Sequence, residues 1–149
     1  MAQTQVLFVE DEDLIRVIVT ESLAEAGLAV TEACSGEAAV ELLRERGCFD
    51  VLLTDVHMRG RLSGVDVARH VRSLWPEMPI VFVTGRPDAL HEFGVPGPHD
   101  HCVLKPYRPA EVLATIEASL VQATEQEGPR GRADHAASPV ANTQATSTG

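Results

Sequence analysis

Short, unbroken apolar runs alternate along the chain with longer amphipathic stretches. "VLFV" (6–9), "LAVTEA" (28–33), "VLLT" (51–54), "IVFV" (80–83) and "CVL" (102–104) read as strands. Asp13 to Ala26 predicts a helix, with Ile15, Ile18, Val19 and Leu23 at helical spacing and Gly27 as its stop. Ser35 is a candidate N-cap for a helix through Arg46, and Leu62 or Ser63 opens another to Leu74, ended by Trp75-Pro76. A short helical stretch falls near 87–93, and Pro109 opens a last helix with Val112, Leu113, Ile116 and Leu120 inward. Strands without polar alternation are buried on both faces, and a helix follows each strand. The pattern therefore predicts a parallel, doubly wound α/β sheet of five βα units.

From about Gly128 the pattern stops. "GPRGRADHAASPVANTQATSTG" holds no aromatic residue and only Val140 as a large aliphatic, so it is expected to be disordered. Elsewhere a hydrophobic fraction of 44% allows a sizeable core, filled by aliphatic side chains because aromatics are only 4%. The net charge of −10 argues against nucleic acid or an anionic membrane as direct partner and favours a basic protein surface or a cation. Cys34, Cys48 and Cys102 show no disulfide or zinc spacing, which points to a reducing compartment. The start "MAQTQVLFVEDED" lacks the basic and long apolar segments of a signal peptide, and no window approaches a membrane span. A cytoplasmic, soluble protein is expected. Of the 12 basic residues, Lys105 is the one lysine.

Position then matters more than composition. Glu10 and Asp11 lie just past the first strand, Asp55 ends the third, Thr84 ends the fourth, and Lys105 follows the fifth. In a parallel sheet these ends share one edge, where open α/β folds bind ligands. Carboxylates about 4 Å apart repel by roughly 4 kcal/mol per pair at an effective dielectric near 20. Three of them need a cation or must take up protons. A divalent ion such as magnesium, held by carboxylates, a backbone carbonyl and water, complements such a site. A lysine and a hydroxyl facing it would cradle a phosphoryl group, with Asp55 as the candidate nucleophile. "HDHC" (99–102) invites a second metal reading, but its spacing matches no zinc pattern, and a strand would turn its alternate side chains to opposite faces.

The pieces "VLFVEDED", "DVLLTDVHM", "PIVFVTGR" and "VLKPY", in this order and spacing, resemble the receiver domain of bacterial two-component response regulators. The resemblance covers residues 4 to about 122 and leaves 123–149 as a polar tail. It implies a flavodoxin-like (βα)5 fold with strand order 2-1-3-4-5. Asp55 is similar to the phosphoacceptor that attacks the phosphohistidine of a sensor histidine kinase or histidine phosphotransfer protein. Glu10 and Asp11 match the acidic pair that, with Asp55 and the backbone carbonyl of His57, holds Mg2+. Thr84 matches the hydroxyl that swings toward the phosphoryl group, and Lys105 the lysine that pairs with it. The resemblance further implies a downstream protein target, bound through a surface within residues 85–121.

The departures from that pattern are specific. Arg59 stands where proline is common, and the interval from Asp55 to Gly64 is one residue longer after His57. Cys102 replaces the usual aromatic switch residue. His57 and Arg86 flank the phosphoryl pocket, where side chains tune the approach of water. Arg59 and Arg61 make the loop basic, either as a rim contact for an acidic partner or to moderate charge around the acidic pocket. The leading expectation is a stand-alone, non-enzymatic phosphoacceptor. Alternatives are a receiver-fold interaction module that works without phosphorylation, and a Mg2+-dependent aspartyl-phosphate phosphohydrolase. That last class places an aspartate where His57 stands. A cofactor-binding flavodoxin-like module would need a Gly-rich or Ser/Thr-rich phosphate loop after the first strand, and none is present.

Overall fold

A computed structural model describes residues 3–92, 94 and 97–127. The elements run β1 (Gln5–Val9), α1 (Asp13–Glu25), β2 (Ala29–Ala33), α2 (Gly36–Arg46), β3 (Val51–Asp55), α3 (Gly64–Leu74), β4 (Ile80–Thr84), α4 (Asp88–His91), β5 (Asp100–Leu104) and α5 (Pro109–Glu127). The five strands are parallel in the order β2-β1-β3-β4-β5. This is the doubly wound architecture that the apolar runs predict.

Alternation along the central strands divides the core in two. On β1, Leu7 and Val9 face a cluster with α2 and α3 that includes Leu43, Val67 and Val71. Val6 and Phe8 face the opposite cluster with Val19 and Leu23 of α1 and Val112 and Ile116 of α5. Each such fully buried side chain contributes about 1.5–3 kcal/mol relative to exposure, so both faces are needed to hold the sheet. On β1, β3 and β4 polar side chains are thereby confined to the strand ends.

Local signals set several boundaries. Ser35 caps α2 by accepting from the Ala38 amide at 3.0 Å. Ser63 and Asp66 form a reciprocal capping box at the start of α3. Other boundaries depart from expectation. Ile18 is about half exposed, because the buried stripe of α1 runs through Val19 and Leu23 alone. β5 begins two residues earlier than its apolar run, at Asp100. The Asp100 carboxylate is held by the Arg72 guanidinium and accepts from the Gly97 amide at 2.7 Å. Arg72 also donates to the carbonyls of Pro76 and Met78, tying α3 to the β4 entrance. α4 has a single turn, Asp88–His91, and residue 93 of the expected stretch lies outside the described residues. α5 continues to Glu127, five residues past the expected boundary at 122, because Ala123 still packs as a buried residue and Glu125, Gln126 and Glu127 are good helix formers. The remainder of the expected tail, 128–149 with Val140, lies outside the described residues.

One close approach fixes the site loop. A Cβ built on Gly64 would lie 2.0 Å from the backbone oxygen of Asp55. The Gly64 amide donates to the Val56 carbonyl at 2.9 Å, so α3 starts tight against the end of β3. Any side chain there must push the two backbones apart. Gly64→Ala is therefore expected to cost about 3 kcal/mol or more in urea denaturation. Gly85→Ala, whose Cβ would meet only the Lys105 Cβ at an ordinary 3.8 Å, should cost less than about 1 kcal/mol.

Candidate functional site

Parallel register brings the polar strand ends together. Val9 pairs with Thr54, so Glu10 follows β1 at the level where Asp55 ends β3. Asp55 pairs with Val83 and Thr84 with Leu104, which brings Thr84 and Lys105 to the same edge. One carboxylate oxygen each from Glu10, Asp11 and Asp55 lie within 4.8 Å of one another. It is the one such group of possible metal ligands among the described residues, and the histidines and cysteine of 99–102 do not form another.

Each acid has a different environment. Asp55 is buried, and its Oδ2 accepts from Lys105 Nζ at 2.9 Å. Its Oδ1 is also buried and has no hydrogen-bond partner among the described residues. Burial disfavours charge on Lys105, but the hydrogen bond and charge of Asp55, with Glu10 and Glu12 behind them, outweigh it and raise the ammonium pKa. Asp11 is gripped by Arg59, whose backbone N–H and Nε both donate to Oδ2, at 3.0 and 3.1 Å. Burial alone would raise the Asp11 pKa, yet these bonds and the guanidinium charge hold it below its usual value.

Among the described residues, no cation pairs with Glu10. It is 1% exposed, and its Oε2 accepts from the Glu12 amide at 3.1 Å. Burial first, then the charges of Asp55 and Asp11, push its pKa up to about 7 against the opposing Glu12 amide and Lys105. Arg16 fixes the turn beneath by donating to the Glu10 carbonyl at 2.7 Å while pairing with Asp13 and Glu32. Tyr107 stands near the same charges. Burial and the field of Glu10, Asp55 and Glu12 push its phenol up to about 12.

Thr84 is fully buried, and its hydroxyl oxygen accepts from the Arg86 amide at 2.9 Å, leaving the hydroxyl proton to donate. His57 is exposed, two residues past Asp55 in the loop, and Arg86 is exposed beside Thr84. The sequence places Glu10, Asp11, Asp55, Thr84 and Lys105 at this edge, and the structure brings them together. Arg16 and Tyr107 are missed by sequence reasoning. Neither stands at a strand end, and Arg16 acts through a backbone carbonyl that no side-chain pattern marks. Of the two readings for the basic loop, Arg59 follows the second: its charge meets an acid of the pocket.

A buried, unsatisfied carboxylate oxygen and a raised carboxyl pKa mark a cluster that is one positive charge or more short. A hard divalent cation with oxygen ligands fits that donor set.

Residues 6–117 match the family model of the response regulator receiver domain. The chain is 32% identical over 120 residues to the response regulator receiver protein CpdR of Brucella abortus (strain 2308), covering 80% of this chain and 98% of that protein. It is 34% identical over 131 residues to the transcriptional regulatory protein CseB of Streptomyces avermitilis, covering 87% of this chain but only 54% of CseB. The chain thus spans about half the length of several curated relatives it matches. Among solved structures, a response regulator receiver protein from Sinorhizobium medicae WSM419 superposes with a TM-score of 0.75 at 27% identity, over 81% of this chain and 97% of that one. The chemotaxis response regulator CheY4 of Vibrio cholerae gives 0.68 at 27% identity, over 80% of this chain and all of CheY4 (100%).

A raised folded pKa for Glu10 means that the folded state binds this proton more tightly than the unfolded chain does. Its contribution is therefore most favourable below the ordinary value of 4.5 and is lost as pH rises through about 7. In metal-free buffer, urea denaturation should show a loss of up to ~3 kcal/mol from this group between those limits. Glu10→Gln, neutral throughout, should flatten that decline.

Proposed function

The chain belongs to the family of response regulator receiver domains, and from that premise we propose that Asp55 accepts a phosphoryl group from the phosphohistidine of a sensor histidine kinase or histidine phosphotransfer protein. The observation that carries the proposal is the division of labour on Asp55. Oδ2 is held by Lys105, while the buried Oδ1 has no partner. One oxygen orients the carboxylate, and the other is left to bond phosphorus or a metal.

In the transfer, a carboxylate oxygen of Asp55 bonds to phosphorus as the P–N bond to the donor imidazole breaks. The imidazole leaves and takes a proton. Glu10, Asp11, Asp55 and the His57 carbonyl are the groups that would hold Mg2+, which when bound offsets negative charge on the acids and the phosphoryl oxygens. Lys105 then trades its carboxylate for a phosphoryl oxygen, and the Thr84 hydroxyl donates to another. The chemistry is confined to the protein's own phosphorylation and dephosphorylation.

Two surfaces suit this reading. On α1, Leu14 is 71% exposed, with Val17 and Ile18 about half exposed. Beside them a groove of about 510 Å³ runs past Ile15, Lys105, Pro106 and Tyr107. A phosphohistidine-bearing helix docked there would lie next to the phosphoacceptor. On the other side, Cys102, Leu104 and Val121 are exposed on β5 and α5, within or next to the segment from which a downstream protein target would read the state of Asp55. A net charge of −10 argues against direct contact of this domain with nucleic acid. No helix among the described residues is long and apolar enough to cross a membrane.

A second reading, an interaction module that works without phosphorylation, draws on the exposed Cys102 where an aromatic switch residue is usual. Incubation with MgCl2 and acetyl phosphate separates the two. Intact-mass measurement should show the gain of one phosphoryl group in the wild type and none in Asp55→Asn. No gain in the wild type would favour the second reading.

A further inference from the structure

Arg59 does more than neutralise the rim. Its backbone N–H and Nε converge on one oxygen of Asp11, and a terminal nitrogen donates to the Asp11 backbone carbonyl at 3.1 Å. This three-point grip spans 48 residues of sequence. The loop that carries it is anchored a second time, where the Arg61 amide donates to Glu37 Oε2 at 2.9 Å. Gly60 between them adopts φ +100, close to the same Glu37 carboxylate. The lengthened loop therefore delivers Arg59 to Asp11 by its backbone, not by a wandering side chain.

The consequence concerns charge. Lys105 is bonded to Asp55 and Arg59 to Asp11, so two of the three acids already carry a protein cation. The two cations differ in access. Lys105 is half-buried, whereas the Arg59 side chain is 80% exposed and reaches the pocket from the solvent side. An ion arriving from solvent meets Arg59 first.

We propose that Arg59 is a tethered cation that competes with the divalent ion for Asp11 and so sets the metal affinity of the pocket. This rests on the divalent-cation reading given above. As the ion loads, the guanidinium is released from Asp11, and by linkage any contact that draws Arg59 away from Asp11 strengthens metal binding by the same factor. Metal occupancy is thereby coupled to the position of the loop between β3 and α3. Arg61, whose backbone and not its side chain is bonded to Glu37, takes no part in the competition.

The test is a MgCl2 titration of the 15N-labelled protein at constant ionic strength, followed by NMR. Arg59→Ala and Arg59→Gln should bind Mg2+ about three- to fivefold more tightly than the wild type, the range set by an exposed ion pair. Arg61→Ala, which removes the same charge from the same loop, should change affinity less than about twofold. In the wild type, the Arg59 Nε–H resonance should move along the same saturation curve as amides near Asp55. That readout decides the matter even where a variant fails to fold. Equal or weaker Mg2+ binding by folded Arg59 variants, or an Arg59 Nε–H signal unmoved at saturation, overturns the proposal. A wild type that shows no saturable response would defeat the divalent-cation reading itself, and this proposal with it.

Discussion

The site is organised by the mutual repulsion of three carboxylates held at the end of a rigid sheet. Glu10, Asp11 and Asp55 offer oxygens within 4.8 Å of one another, with Glu10 and Asp55 buried and Asp11 partly so. At that spacing each ionised pair costs a few kcal/mol, a sizeable part of the stability of a domain this small. The protein lowers the cost with Lys105 on Asp55 and Arg59 on Asp11. Glu10 remains, and burial first, then the charges of Asp55 and Asp11, push its carboxyl pKa up to about 7. That residual deficit favours a divalent cation with oxygen ligands.

The sheet is what prevents the acids from relaxing apart. Their strands are buried on both faces, and each is hydrogen-bonded to its neighbours in parallel register. Gly64 closes the back of the site by bringing the start of α3 against the Asp55 carbonyl. Arg72 performs a comparable service at the opposite end of the sheet, joining α3, the β4 entrance and Asp100 of β5. The rigidity is directed: the strand interiors carry packing, and the C-terminal ends carry charge.

Much of this was legible from the pattern of residues, and the reasons differ by element. β1, β3 and β4 are apolar runs because both of their faces are covered, and the polar residues that end or follow them, Glu10, Asp55 and Thr84, are buried as well. The polar residues that follow therefore mark the ligand edge. β5 is an edge strand with one buried residue, Val103, and its first two residues read as loop. They are held in the sheet by Arg72 and the Gly97 amide, partners that no local signal announces. Helical spacing alone turned Ile18 inward, but the width of the buried stripe depends on how α1 sits on β1. α5 ran on past the expected boundary because helix propensity persists after amphipathic pattern fades. Arg59 stood out as an unusual residue, but its partner lies 48 positions away, and a contact that distant is set by the loop path.

The charge deficit at Glu10 is the central fact of the pocket. 13C NMR titration of the Glu10 side-chain carboxyl, with and without saturating MgCl2, tests it directly. In metal-free protein the carboxyl should titrate near 7, and Mg2+ should move that midpoint to below the ordinary value of 4.5. An ordinary midpoint in the absence of metal, unmoved by Mg2+, would contradict the account.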